Sequence, residues 1–223
     1  MSNSPLVTYT KLTKNRTSPR TQKIDTITIH CYVGQVTAKQ GCDYFATTDR
    51  KCSSNYIVGK DGSIGLSVNE SDRSWCSSSS ANDGRAITIE VASDTTAPYK
   101  VNDVAFKALI NLVADICKRN GIKELKWKGD KSLVGKVDKQ NMTVHRWFAS
   151  TACPGDYLYG KMGTIASEVN KILNPPKQTD QLTEDLNILV SKGVINSPDY
   201  WKKTAPTVKH LDTLIHKMAM YIK

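Results

Sequence analysis

Two short stretches of the chain alternate between apolar and polar positions. In KIDTITIH, Ile27 and Ile29 fall on one side, and Thr26, Thr28 and His30 on the other. In RAITIEV, Ile87 and Ile89 oppose Thr88 and Glu90. A period of two is the mark of a β-strand, and each stretch carries an ionisable residue near its end, on the less apolar side. As neighbouring strands they would bring His30 and Glu90 out together at one edge of a cleft. Between them, SNYIVGKDGSIGL reads as a hairpin turning at Lys60-Asp61-Gly62. The serine run of DRSWCSSSSANDGR reads as an exposed loop.

The period then changes to that of a helix. In VNDVAFKALINLVADICKRNG, Phe106, Leu109, Ile110, Val113, Ile116 and Cys117 share one stripe. Asn102 or Asp103 caps its start and Gly121 ends it. Cys117 is therefore a core residue. A second helix is expected in DYLYGKMGTIASEVNKIL, stopped by Asn174-Pro175-Pro176. The two prolines and the polar KQTDQ form the clearest boundary in the chain. They divide residues 1–174 from a linker at 175–180 and a small helical module at 181–223. In that module Leu182, Leu186, Leu189 and Val190 form one apolar face, and Gly193 ends the helix. Ser197-Pro198 opens a new helical start. Leu211, Leu214, Ile215, Met218, Ala219 and Ile222 make a second stripe, with His210 and His216 off a shared face and solvated. The whole pattern gives an α/β fold, a central mixed β-sheet flanked by helices, plus the helical module.

Composition narrows the classes. The 223 residues are 39% hydrophobic and 23% charged, which is globular. No apolar run approaches the roughly 20 residues needed to span a bilayer. The first residues, MSNSPLVTYTKLTKNRTSPRT, lack the apolar centre of a secretory signal. The expectation is synthesis in the cytoplasm, with any target beyond the membrane reached by another route. Net charge is +10, and the tail from Lys177 contributes seven basic against five acidic residues, leaving +8 upstream. Such a surface either aids solubility or attracts a polyanion, nucleic acid or anionic wall. No recognition helix or aromatic RNA-binding signature supports nucleic acid. The six cysteines form no CxxC pair, which argues against a structural zinc finger. Mostly reduced thiols are expected, with a Cys42–Cys52 pair as the minority alternative.

The stretch TVHRWFASTACPGDYLYGKM sets His145 eight residues before Cys153, with Pro154-Gly155 immediately after. Pro-Gly fixes a turn that can hold the sulfur in place. A hydrolytic zinc site typically takes three protein ligands from separate elements and leaves the fourth position to water. His30, His145 and Cys153 supply such a set. Taken singly, His30 also reads as a hydrogen-bonded cleft residue and Cys153 as a small core hydrophobe.

TITIHC, NYIVGKDGSIG, NDGRAITIEVAS and HRWFASTACPGDYLYGKM, in that order, resemble a zinc-dependent N-acetylmuramoyl-L-alanine amidase. This is the type 2 amidase family, which shares its fold with peptidoglycan-recognition proteins. The resemblance spans Asp25 to Leu173 and extends to amidases of phage and prophage lysis systems of Gram-positive hosts. It implies one Zn²⁺ held by His30, His145 and Cys153, with Thr151 beside the metal where members carry Lys or Thr. Some members have a catalytic tyrosine at the start of the hairpin strand. Ser54 falls there instead, and Tyr56 is displaced by two. The chain matches the other branch, in which the glutamate ending the GRAITIE strand, Glu90, is the base.

The implied substrate is bacterial peptidoglycan, cut at the amide between N-acetylmuramic acid and L-alanine. Trp75 and Asn82 of the serine-rich loop, with Tyr56 on the cleft wall, are the candidate substrate contacts. Trp75 serves equally well as a lid over the core. For the helical module, wall binding and homodimer formation both fit, and a net +2 argues against DNA. Rival functions are a peptidoglycan-binding protein without catalysis, a bacterial autolysin of the same chemistry, a zinc peptidase cutting elsewhere in the stem, and a nucleic-acid-binding domain. The last leaves the His/His/Cys/Glu set unexplained.

Overall fold

The computed structural model describes residues 2–175 and 178–223, the side chains of 178–180 excepted. They form two compact units, Met1–Leu173 and Asn174–Lys223. Of the expected linker, Pro176 and Lys177 lie outside the described residues, and helix has resumed at Gln178.

In chain order the first unit runs β1 (Tyr9–Thr10), β2 (Arg16–Thr17), β3 (Thr26–Cys31), α1 (Ala38–Thr47), β4 (Tyr56–Val58), β5 (Ile64–Leu66), β6 (Arg73–Ser74), α2 (Ser80–Arg85), β7 (Ala86–Val91), α3 (Asp103–Asn120), β8 (Met142–Val144) and α4 (Gly155–Leu173). Six strands make one sheet in the order β1-β5-β4-β7-β3-β8, while β2 and β6 pair separately. β3 lies parallel to both β7 and β8, β4 is parallel to β7, and β4 and β5 form the antiparallel hairpin. The fold is thus α/β with a mixed central sheet.

Strand parity decides what each face buries. Ile27, Ile29, Ile87 and Ile89 pack with Leu109, Leu112, Ile116, Met162 and Ile165 in the main core. Each such side chain contributes about 1.5–3 kcal/mol through removal from water. Thr28, His30, Thr88 and Glu90 necessarily point to the other face. All six residues of β3 are buried, because the strand is covered on both sides and paired at both edges. α3 begins where Asn102 Oδ1 accepts from Ala105 N–H at 2.8 Å and ends at Gly121, whose φ of 71° few other residues adopt cheaply. Cys117 is fully buried in this core. On the opposite face, α1 covers Ile57 with Cys42 and Phe45. All six cysteines are free thiols, so the Cys42–Cys52 alternative is not the one observed.

The serine-rich stretch departs from expectation. It folds into α2, capped by Ser79, and buries Ser77, Asn82 and Asp83. Asp83 is the reason. Its carboxylate accepts from Cys76 N–H, Ser77 N–H and the Ser77 hydroxyl at 2.6 to 3.2 Å, turning the chain inward.

The second unit holds α5 (Gln178–Ser191), α6 (Pro198–Thr204) and α7 (Leu211–Ile222). Leu182, Leu186, Leu189, Ala205, Ile215 and Ala219 form its core. The stripe along α7 is narrower than its sequence suggests. Ile215 and Ala219 face inward, whereas Leu214 is 53% and Met218 39% exposed, one step round the helix. Val190 is likewise exposed. His216 is not simply solvated: its Nδ1 lies 3.0 Å from Oδ2 of the buried Asp185.

Candidate metal centre

Three adjacent parallel strands, β7, β3 and β8, deliver the site at their C-terminal ends, where open α/β sheets place their ligands. His30 stands opposite Glu90 in the β3–β7 register. His145 follows β8 directly, in a single 3₁₀ turn. Trp147, two residues on, stacks on Trp127 at 5.1 Å and fixes that turn against the core.

The eight-residue interval between His145 and Cys153 has a local cause. Arg146 N–H donates to the Cys153 carbonyl at 3.1 Å, and the Arg146 guanidinium donates to the Ala152 carbonyl and to Asp156. The segment therefore closes on itself, histidine beside cysteine. Gly155 completes the turn at φ 80°; a Cβ there would lie 2.8 Å from Tyr99 Cβ and 3.0 Å from the Pro98 carbonyl oxygen.

The result is a group of donors, His30, His145 and Cys153, whose ligand atoms all lie within 4.8 Å of one another. Cys153 Sγ is 3.4 Å from His30 Nδ1, and the two imidazole centroids are 5.1 Å apart. His30 Nε2 is buried without a hydrogen-bond partner, as is Glu90 Oε2. His145 Nε2 meets the Ser78 hydroxyl at 3.2 Å, the kind of outer contact that orients a ligating imidazole.

The electrostatics suit a cation. Burial, and then the neighbouring His145, lower the pKa of His30 to about 3, so its ring is neutral with a lone pair to give. Burial lowers His145 as well, against a raising influence from Asp83. The hydrogen bond with the Cys31 thiol, then burial, then the Glu90 charge push the Cys153 thiol upward. Burial, followed by Cys31, pushes Glu90 well above the ordinary carboxylate range, while the Cys76 contact opposes this. These are groups that a metal ion would relieve: two neutral imidazoles and a thiol that a positive charge would ionise.

The family model described as N-acetylmuramoyl-L-alanine amidase (Amidase_2) matches residues 20–156. The chain belongs to that family. His30, Glu90, His145 and Cys153 all fall within the matched span of the amidase. Among solved structures, a mutant endolysin from Bacillus subtilis matches with a TM-score of 0.51 at 17% identity, covering 73% of this chain and 99% of that one. The amidase LysC from Clostridium intestinale gives 0.45 at 16%, covering 72% and 97%. Drosophila peptidoglycan recognition protein SA gives 0.49 at 15%, covering 65% and 80%. At 17% identity the match to the Bacillus subtilis endolysin is a likeness of fold alone. A comparison with curated proteins finds no match.

The remaining sequence candidates separate. Thr151 is exposed beside the donors, its Oγ1 accepting from Cys153 N–H at 3.2 Å. Trp75 is half-buried, its indole N–H donating to Thr17 Oγ1. Tyr56 is not on the cleft wall. It is 0% exposed on the opposite face of the sheet, and its hydroxyl donates to Glu70 at 2.6 Å. Asn82 is also unavailable to a substrate: its amide is buried between Thr28, Ser77 and Thr143 and bonds to all three. Ser54 is fully buried and donates to backbone carbonyls. Cys76, which carried no signal in the sequence, reaches the site, with Sγ 3.8 Å from Glu90 Oε1. A cavity of about 750 Å³ between the 124–139 segment and α4 contains none of these residues, and its three lysines are matched by Glu124, Asp130 and Asp138.

Proposed function

We propose that this amidase hydrolyses the bond between N-acetylmuramic acid and L-alanine with one zinc ion held by His30, His145 and Cys153, and that it serves as an endolysin. The observation that carries this reading is the donor group beside Glu90, inside the span of the family match. Two imidazoles and a thiolate would leave the site at net +1. A zinc ion bound there would supply Lewis acidity toward the scissile carbonyl and acidify a water. Glu90, with Oε2 unpaired, would take a proton from the attacking water and return it to the departing amine of L-alanine. Thr151 is exposed at the rim and offers its hydroxyl proton to the carbonyl oxygen as charge develops. His145 is held in orientation by Ser78. Trp75 remains the candidate for stacking on substrate.

Digestion of purified cell walls tests the reading. New amino termini should appear without new reducing sugar ends, chelation should stop their release, and zinc should restore it. Release of reducing ends would mean that the glycan strand is cut instead.

For residues 181–223, wall binding and self-association remain the two proposed roles. Leu182, Leu186 and Leu189 give them a core of their own. Truncation after Asn174 should leave hydrolysis of a soluble muramoyl-peptide intact while weakening wall binding or lowering the solution mass. Loss of soluble-substrate activity would make the tail part of the catalytic fold. No helix among the described residues is long and apolar enough to cross a membrane. As an endolysin, the enzyme would reach the wall once the membrane is opened.

A further inference from the structure

Cys76 lies outside the three donors, yet its position is built with care. The buried Asp83 carboxylate accepts from the backbone N–H of both Cys76 and Ser77, which locks the peptide carrying the thiol. Asp83 is itself held by α2, whose last residues are pinned by Arg20 donating to the carbonyls of Asp83 and Gly84. From this anchor the Cys76 thiol reaches Glu90 Oε1 at 3.8 Å. His30, Cys76 and Glu90 present their polar atoms within 4.8 Å of one another.

The two oxygens of Glu90 are consequently unlike. Oε1 has a donor, and Oε2 is buried with none. We infer that Cys76 is a positioning residue: its S–H holds Glu90 Oε1 so that Oε2 alone is aimed into the site as the proton acceptor. A carboxylate without that contact would be free to turn about its last torsion and present either oxygen, or neither, to a water. A thiol is a weak donor. Even that weak donor is enough to hold Oε1, and it leaves Oε2 without a partner. This inference rests on Glu90 being the base.

Three replacements separate the donor from the bulk. Cys76→Ala removes both, Cys76→Val keeps an apolar side chain of similar size, and Cys76→Ser keeps a donor. Each should be assayed on a soluble muramoyl-peptide alongside Glu90→Gln, with bound metal and thermal unfolding measured on the same samples. The expected result is a fall in kcat of roughly tenfold for Ala and Val, as for other outer contacts of a site. KM and metal content should be unchanged, and Ser should recover most of the rate. Wild-type kcat in Ala, or rescue by Val and not by Ser, would overturn the proposal in favour of packing. Metal loss in Ala and Val would overturn it in favour of a ligand role. Should Glu90→Gln also turn over normally, the assignment of the base has failed. With Glu90→Gln inactive and Ala normal, only the role of Cys76 has.

Discussion

Two carboxylates, Glu70 buried and Glu90 half-buried, have been treated in opposite ways. Glu70, 1% exposed, accepts from the Tyr56 hydroxyl, from two nitrogens of Arg119 and from Asn120, all at 2.6 to 3.0 Å. Glu90 has one thiol at 3.8 Å and an oxygen with no partner. A charge withdrawn from water costs several kcal/mol unless it is paired and hydrogen-bonded. At Glu70 that cost is offset within the fold. At Glu90 Oε2 and at His30 Nε2 the hydrogen-bonding capacity is instead left unmet. Unmet polar capacity gathers on His30 and Glu90 in the candidate site, whereas the Glu70 carboxylate is saturated.

The comparison breaks most severely if the unmet side does not need its donors. Cys153→Ala should abolish both metal uptake and wall hydrolysis, measured by elemental analysis and by release of amino termini. Full activity in a metal-free variant would remove the metal from the reaction. Next in size, Glu90→Gln should retain the metal but lose roughly 10²–10⁴-fold in kcat, since an amide can hydrogen-bond but cannot accept the proton. A near-normal rate would place Glu90 with the structural groups.

On the saturated side the loss should be in stability and not in turnover. Glu70→Ala leaves the Arg119 guanidinium short of a partner, although Asp115 still pairs with it at 2.8 Å. Breaking a buried pair on one side commonly costs roughly 3–5 kcal/mol. The midpoint of denaturant unfolding should fall accordingly, while kcat per folded molecule at a permissive temperature stays near wild type.

Much of this contrast is legible in the sequence, and the illegible part has a common cause. Alternation in TITIH and AITIE was enough to put His30 and Glu90 on one face, because six-residue strands repeat the period of two often enough to read it. The KDG turn and the ends of α3 at Asn102 and Gly121 follow from local backbone preferences. What local pattern does not carry is the partner supplied from far along the chain. β8 is only three residues long and owes its existence to pairing with β3, 115 residues earlier at Thr28 and Thr143. α1, with a glycine and few large apolar residues, is defined by what it covers. The serine run is folded inward by a single aspartate, Asp83, and that fold is what brings Cys76 to Glu90. The three donors could be chosen for their chemistry, but the satisfaction of each polar group could not be counted before the fold was known.

Tyr56 shows this limit and supplies the finest test. Its strand, Tyr56–Val58, is too short for parity to say which side chain faces the cleft, and a tyrosine near the start of the hairpin is an attractive proton carrier. In the fold its hydroxyl is committed twice: it donates to Glu70 Oε1 at 2.6 Å and accepts from Ser4 N–H at 2.8 Å. Tyr56→Phe keeps the ring and its packing. Glu70 would still be held by Arg119 and Asn120, so the expected cost is about 1–2 kcal/mol, chiefly from the Ser4 amide left without its acceptor. Chemical denaturation should register that loss, and kcat on a soluble muramoyl-peptide should not change. A fall in kcat of tenfold or more, with the metal still bound, would mean that the hydroxyl reaches the substrate in some other arrangement of the hairpin. The contrast between Glu70 and Glu90 would then no longer divide structure from chemistry.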